Sequence, residues 1–318
     1  MKTVRYHSYG DSDVLVHEDT DRPVAGPGQV VLRVAGTAFN ALDAAIRGGL
    51  LREPFPVSLP HVPNYDVAGV VEEVGEGVHG WSAGDAAVAF LPPLTAGGAA
   101  EYVAAPAEVL AAAPRRVQLA DAAALPSVGL AAWQALFEHA GLKAGQSVLV
   151  DGGGGAVGGY AVQLAKQAGI TVTASAGPRS HDRVRSYGAD RIVDHTAAPV
   201  PQALAGQRFD AVLHLAPAGP DLATAGPQEL AQLADLVADG GAFVSLTTPG
   251  PQDVGRGVRA VRVFTRSDAA QLSELVGRVD AGTLRIDVAE RRPLADLAAV
   301  HALAAAGRLP GKTVLIPA

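Results

Sequence analysis

Cysteine is missing from all 318 residues. Its absence excludes disulfides, a redox thiol, a cysteine nucleophile and any thiolate metal site, and it agrees with a reducing, cytoplasmic setting. Long apolar runs are missing too. No stretch reaches the roughly 18 residues of a membrane-spanning helix, and the start, Met1-Lys2-Thr3-Val4-Arg5-Tyr6-His7, has no apolar segment of the signal-peptide kind. Neither an export signal nor a membrane span is expected. Basic residues number 25 against 32 acidic ones, a formal net charge of −7, and no basic tract stands out. Nucleic acid and anionic membranes are therefore not expected as partners. Charged residues make up 18% of the chain and hydrophobic residues 48%. Such a chain is globular, and long enough for two domains with their own cores.

The most informative stretch is Val148-Leu149-Val150-Asp151-Gly152-Gly153-Gly154-Gly155-Ala156-Val157-Gly158. An apolar strand runs into a glycine cluster, and a helical pattern begins at once. That context is the one a dinucleotide fingerprint requires. Gly152, Gly155 and Gly158 take the three fingerprint positions with the spacing G-x-x-G-x-x-G. One glycine makes the tight turn, one lets the backbone approach a pyrophosphate, and the last lets the helix pack on its strand. The helix N-terminus, through Ala156 and Val157, offers free N–H groups to the phosphates.

Up to about residue 117 the chain reads as short strands, at 30–34, 67–74, 86–90 and 100–104, separated by turns such as Pro27-Gly28 and Ala83-Gly84-Asp85. This is the pattern of a β-barrel-like domain. Helical patterns then occupy 121–125 and 129–140, with Gly141 as a C-cap. Strands at 147–150, 171–174, 190–193, 211–215, 242–246 and 258–264 alternate with helices at 158–168, 181–187 and 227–238. Alternation of this kind means a doubly wound parallel sheet in an α/β fold. The tail reads helix, helix, strand, at 269–282, 294–306 and 312–316.

With these pieces placed, the chain resembles the medium-chain dehydrogenase/reductase superfamily, in its zinc-independent quinone oxidoreductase (zeta-crystallin-like) branch. The likeness runs through Asn40-x-x-Asp43-x-x-x-Arg47-x-Gly49, Asp66-Val67-Ala68-Gly69-Val70-Val71-x-x-Val74-Gly75 and Gly84-Asp85. It continues through Ala99-Ala100-Glu101-Tyr102-Val103, the glycine loop with Gln163-Leu164-Ala165-Lys166, and Gly311-Lys312-Thr313-Val314-Leu315. It implies a GroES-like β-barrel catalytic domain, residues 1–117 and 267–318, interrupted by a Rossmann NADP-binding domain, residues 118–266, with the active site in the cleft between them. Zinc-dependent relatives carry G-H-E-x-x-G where this chain has Asn64-Tyr65-Asp66-Val67-Ala68-Gly69. Tyr65 thus stands at the zinc-binding histidine position, Asn40 at that of the catalytic cysteine, and no four-cysteine lobe follows Phe90. Among the 9 histidines none forms a ligand-spaced cluster. No metal is expected.

The second strand of an NAD-preferring domain ends in Asp or Glu, which binds the ribose 2′-hydroxyl. Here it continues Thr171-Val172-Thr173-Ala174-Ser175-Ala176-Gly177-Pro178-Arg179, with no carboxylate before Asp182. Small Ser175 and basic Arg179 suit a 2′-phosphate. Charge-assisted bonds worth about 1.5–3 kcal/mol make Arg179 sufficient for roughly ten- to hundredfold preference for NADPH. His195 follows in Ile192-Val193-Asp194-His195. It either shares the phosphate charge or lies on a surface loop.

The resemblance implies hydride transfer to a quinone or to a C=C conjugated to a carbonyl. It puts Asn40 and Asp43 near nicotinamide and substrate. Asn40 donates through its amide; Asp43 either orients Asn40 or pairs with Arg47 at i+4. Tyr65 is a phenolic proton donor or an aromatic packed under the cleft. The resemblance also places Ala216-Pro217 and Thr247-Thr248 beside the nicotinamide ribose, and Val263-Phe264-Thr265 near the carboxamide. Ile46 and Leu50-Leu51 stand where this branch often carries aromatics, which favours an enone, an enoyl thioester or a bulkier polycyclic ketone over small planar quinones. A dedicated enoyl reductase, for example of a polyketide intermediate, is the close alternative. A non-catalytic NADPH-binding structural or regulatory protein is the reading from another class. Relatives pair through edge strands, so a homodimer joined at 258–264 is expected.

Overall fold

Residues 29–38 are mostly β-branched or small, and in the computed structural model they form a strand paired along both edges. The structure describes residues 1–216, 226–251 and 254–317. These form two compact units, residues 1–127 with 266–318, and residues 128–265.

The first unit begins with β1 (Lys2–Tyr6), β2 (Leu15–Asp19), β3 (Gln29–Ala38) and α1 (Ala41–Arg47). It continues with β4 (Asp66–Val74), β5 (Ala86–Phe90), β6 (Tyr102–Pro106), β7 (Leu110–Ala112) and α2 (Leu119–Ala122). Across the unit boundary runs α3 (Pro126–Trp133). The second unit holds β8 (Ser147–Asp151), α4 (Ala156–Gln167), β9 (Thr171–Ser175), α5 (His181–Ser186) and β10 (Arg191–Val193). It is completed by α6 (Val200–Ala203), β11 (Phe209–His214), α7 (Pro227–Ala234), β12 (Val237–Ser245) and β13 (Arg259–Arg262). The chain then returns to the first unit with α8 (Ala269–Asp280), β14 (Glu290–Pro293), α9 (Leu297–Ala305) and β15 (Thr313–Ile316).

In the first unit a seven-stranded sheet runs β14-β15-β3-β4-β5-β7, with β6 also on β3. One edge of β3 is shared: β6 pairs with its first half, and β15 lies antiparallel to its end, Val314 opposite Ala38. On the other edge Asp66 of β4 lies opposite Ala38. The end of β3 is thus flanked by β4 and β15. Lys2 with Asp19 and Arg5 with Glu18 join the separate β1–β2 pair, whose interspersed charges hid both strands from the sequence reading.

The domain boundary expected at 117/118 is corrected to 127/128, because α2 belongs with β3. A Cβ on Gly36 would lie 2.6 Å from the Ala120 carbonyl oxygen, so the strand admits α2 only through a bare glycine. Asp121 also binds Arg291 of β14 through two bonds of 2.6 Å.

The second unit is a six-stranded sheet in the order β10-β9-β8-β11-β12-β13, parallel throughout. Leu149, Val212 and Phe243 of neighbouring strands pack with Leu230 and Leu233 of α7. The helix expected at 227–238 stops at Ala234, and β12 starts early at Val237. Gly240, at φ +74°, forces the local irregularity between the β11–β12 pairs. Sheet order reverses between β8 and β11, where a doubly wound sheet opens its ligand crevice. Among the described residues no helix is long and apolar enough to cross a membrane.

Candidate active site

Because its strands are parallel, the second unit gathers most of the residues expected to bind a cofactor at one edge of the sheet. Gly152–Gly158 follow β8, Arg179 follows β9, and His195 follows β10. Ala216, Thr247, Val263 and Thr265 follow β11, β12 and β13. Pro217 lies outside the described residues.

Two glycines of the turn, Gly152 and Gly158, leave no room for side chains. Gly152 sits at φ +96°, and a Cβ there would lie 2.7 Å from the Ala216 backbone nitrogen. A Cβ on Gly158 would lie 2.2 Å from the Gly152 carbonyl oxygen, so α4 rests directly on the turn. Gly155 is the N-cap of α4, and Ala156 is its first helical residue, where an extra methyl costs nothing. Gly155 and Ala156 are exposed, so the first-turn N–H groups are open to an anion. Thr247 Oγ1 and Thr248 Oγ1 are buried without a hydrogen-bond partner among the described residues. A bare cradle, an exposed helix N-terminus and unpaired hydroxyls at the same sheet edge fit a dinucleotide. Val263 is buried and donates its N–H to the Ser245 carbonyl at 2.8 Å.

Ser175 does not face a 2′-phosphate, and that expectation is corrected. It is buried; its hydroxyl donates to Asp151 Oδ1 at 2.8 Å and accepts the Gly152 N–H at 2.8 Å. Asp151 Oδ2 in turn meets His214 Nδ1 at 2.8 Å across the β8–β11 pair. Arg179, two residues after Gly177, and His195 are both exposed; His195 Nε2 lies 3.3 Å from where a Cβ on Gly177 would stand. The carboxylate of Asp194 is occupied by the Thr196 N–H and hydroxyl, at 2.8 and 2.6 Å. Sequence reasoning missed Arg183 of α5, whose Nη2 pins the Gly154 carbonyl at 2.7 Å.

In the first unit Asn40, at the end of β3, is the N-cap of α1 and is only partly buried. Its Nδ2 donates to Asp66 Oδ2 at 2.9 Å, and its Oδ1 accepts from Lys312 Nζ at 2.5 Å. Asp66 is fully buried and also accepts the Ser127 N–H and hydroxyl, each at 2.7 Å. Lys312 is bound to it at 3.2 Å. The second N–H of Asn40 Nδ2 has no partner among the described residues. Neither Asp66, Ser127 nor Lys312 was singled out from sequence; the Gly311-Lys312 pair held the signal, but only the fold brings it to Asn40.

Asp43 is buried, and its Oδ2 accepts the Asn40 backbone N–H at 2.7 Å. It caps α1 rather than pairing with Arg47, which donates instead to the Gly10 carbonyl at 2.7 Å. Burial pushes the Asp43 carboxyl up to about 7, a rise that the Asp66 charge adds to and that the Asn40 N–H and Lys312 oppose. Tyr65 is also corrected, as a buried aromatic rather than a donor to substrate. Its hydroxyl lies 2.9 Å from His61 Nε2. Burial lowers His61 to about 4, so the ring is neutral, and a backbone hydrogen bond at Ser58 takes its ring proton. Nε2 is then the acceptor, and the phenolic proton is spent on it. Asn64, where zinc-dependent relatives have glycine, holds φ +67°, a left-handed conformation that asparagine tolerates.

Residues 26–115 match the alcohol dehydrogenase GroES-like domain family, and residues 187–315 match the zinc-binding dehydrogenase family. A chloroplast envelope quinone oxidoreductase homolog of Arabidopsis thaliana is 34% identical over 100% of this chain and 98% of its own length. An Arabidopsis thaliana NADPH-dependent alkenal/one oxidoreductase is 37% identical over 62% of this chain and 53% of its own. The solved quinone oxidoreductase of Coxiella burnetii superposes with a TM-score of 0.88 at 28% identity, covering 99% of each chain. With the bare glycine cradle and the two-unit architecture already in place, this chain belongs to the medium-chain dehydrogenase/reductase superfamily, in its quinone oxidoreductase branch, and is a nicotinamide-dependent oxidoreductase.

Proposed function

We propose that the protein uses NADPH to reduce a quinone or a C=C conjugated to a carbonyl, without zinc. The observation that carries this reading is the Asn40 carboxamide, whose two heavy atoms are held by Lys312 and Asp66 while one N–H stays free. Bound NADPH supplies the hydride. The chain's own part is to hold the acceptor and to stabilise the negative charge that builds on its oxygen, for which a fixed amide N–H is suited.

Independence from zinc is supported by the side chains present. Tyr65 replaces the ligand histidine and is bound to His61, while a fixed ammonium already balances Asp66. Among the described residues no three His, Cys, Asp or Glu side chains cluster as a metal site. Preference for NADPH over NADH is supported by exposed Arg179 and His195 beside Gly177 and by the engagement of Asp194. Homodimer formation in the cytoplasm belongs to the same reading. Among the described residues β13 has a partner on one side only, and exposed Phe264 lies just beyond it.

The test follows NADPH consumption with a simple para-quinone and a conjugated enone in parallel, each repeated with NADH. Turnover of either acceptor with NADPH supports the proposal, and the faster one names the acceptor class. Cofactor binding with no turnover of any acceptor would replace it with the non-catalytic reading.

A further inference from the structure

Lys312 is only 8% exposed, and its ammonium meets three acceptors: Asn40 Oδ1 at 2.5 Å, Asp66 Oδ2 at 3.2 Å and the Phe39 carbonyl at 3.3 Å. An ammonium has three protons, so every one is used. The placement follows from strand pairing. Val314 lies opposite Ala38, and continuing that antiparallel register two places beyond the strand sets Lys312 across from Asn40. The Phe39 N–H donates to the Thr313 carbonyl at 3.2 Å and locks the register there.

A carboxamide can normally turn over and exchange its oxygen with its nitrogen. Asn40 cannot. Lys312 can only donate and ionised Asp66 can only accept, so the turned amide would point N–H at ammonium and oxygen at carboxylate. Asp66 itself receives four donors, three on Oδ2 and one on Oδ1. One orientation survives, and it fixes where the remaining Nδ2–H points.

We propose that Lys312 is a positioning residue: by holding Asn40 Oδ1 it aims the free Nδ2–H at the oxygen of the acceptor during reduction. This rests on the reading of Asn40 as the hydrogen-bond donor to that oxygen. The competing role is purely structural, the neutralisation of buried Asp66.

Lys312→Met separates them, measured together with Asp66→Asn/Lys312→Met, which removes both buried charges and carries the same comparisons if the single variant does not fold. A misdirected donor should lower kcat by roughly tenfold to a hundredfold and leave KM for NADPH unchanged. Asp66→Asn/Lys312→Met should recover the parent melting temperature without recovering kcat. Combined with Asn40→Ala, either variant should cost nothing further. Without cofactor or substrate, the Asn40 side-chain amide signal in a 15N–1H spectrum, assigned by its loss in Asn40→Ala, should shift on Lys312→Met. An unchanged kcat, a kcat restored by Asp66→Asn, or an equal loss with and without Asn40 would overturn the proposal. If Asn40→Ala lowers kcat and the Lys312 variants do not, only the role of Lys312 falls. If Asn40→Ala itself leaves kcat intact, the donor reading falls and this proposal with it.

Discussion

The hydroxyl of Ser175 donates to the carboxylate of Asp151 while accepting the N–H of the residue that follows it, Gly152. A side chain from β9 therefore fastens the turn that leaves β8. Ser175→Ala should weaken binding of NADPH and NADH alike, through a loosened turn, by about 1 kcal/mol or roughly fivefold. Titration with both cofactors checks this. A loss confined to NADPH would restore Ser175 as a 2′-phosphate contact.

Arg179 carries the opposite signature. Exposed beside Gly177, it has its charge available to a 2′-phosphate. Arg179→Ala should raise KM for NADPH roughly tenfold to a hundredfold and leave NADH unaffected. Equal losses for both cofactors would remove Arg179 from the phosphate site.

Asp43 makes stability depend on pH. An unfolded aspartate titrates at about 3.9, whereas burial raises the folded group to about 7. Between these values the folded protein holds a proton that the unfolded chain has lost. Stability should therefore be greatest near pH 4 as far as this group is concerned, fall as pH rises to about 7, and level off above. The full difference is on the order of 4 kcal/mol. Buried His61 and His301, lowered to about 4 and about 3, act in the opposite sense in both proteins. Asp43→Asn keeps an acceptor for the Asn40 N–H but cannot ionise, so the parent's melting temperature should fall relative to the variant's as pH rises across this window. Parallel curves would show that Asp43 titrates elsewhere.

Tyr65→Phe should leave kcat unchanged, because the phenolic proton is engaged with His61. Stability should fall by about 1 kcal/mol as His61 Nε2 loses its donor. Steady-state kinetics and thermal melting on one preparation separate the two effects. A steep fall in kcat would return Tyr65 to the reaction.

What could be read from sequence was local. The glycine turn, its strand and its helix lie within residues 148–168, and Gly158 answers to Gly152 within the same turn. Arg179 and His195 can be placed from sequence after the consecutive strands β9 and β10. Ser175 was misread: the type of residue was visible, but its direction depends on Asp151, which lies on another strand. Tyr65 was misread for a similar reason, since His61 four residues earlier turns the hydroxyl inward. Asp121 was grouped with the wrong unit because nothing nearby records its bond to Arg291. Lys312 shows in the sequence only within the Gly311-Lys312-Thr313 run. Its acceptors Asp66, Asn40 and Phe39 lie 246, 272 and 273 residues away, and the pairing of β3 with both β15 and β4 joins them.

That register also sets an order of assembly. Asn40 and Asp66 leave the ribosome before the second unit is made, and Lys312 after it. Until β15 arrives, the Asp66 carboxylate has no cation to neutralise it in a place without water, and burying it alone is costly. β15 lies between β14 and β3 and brings the Lys312 ammonium to buried Asp66 and to Asn40, so one strand pairing both neutralises the buried charge and sets the donor of the candidate site in place.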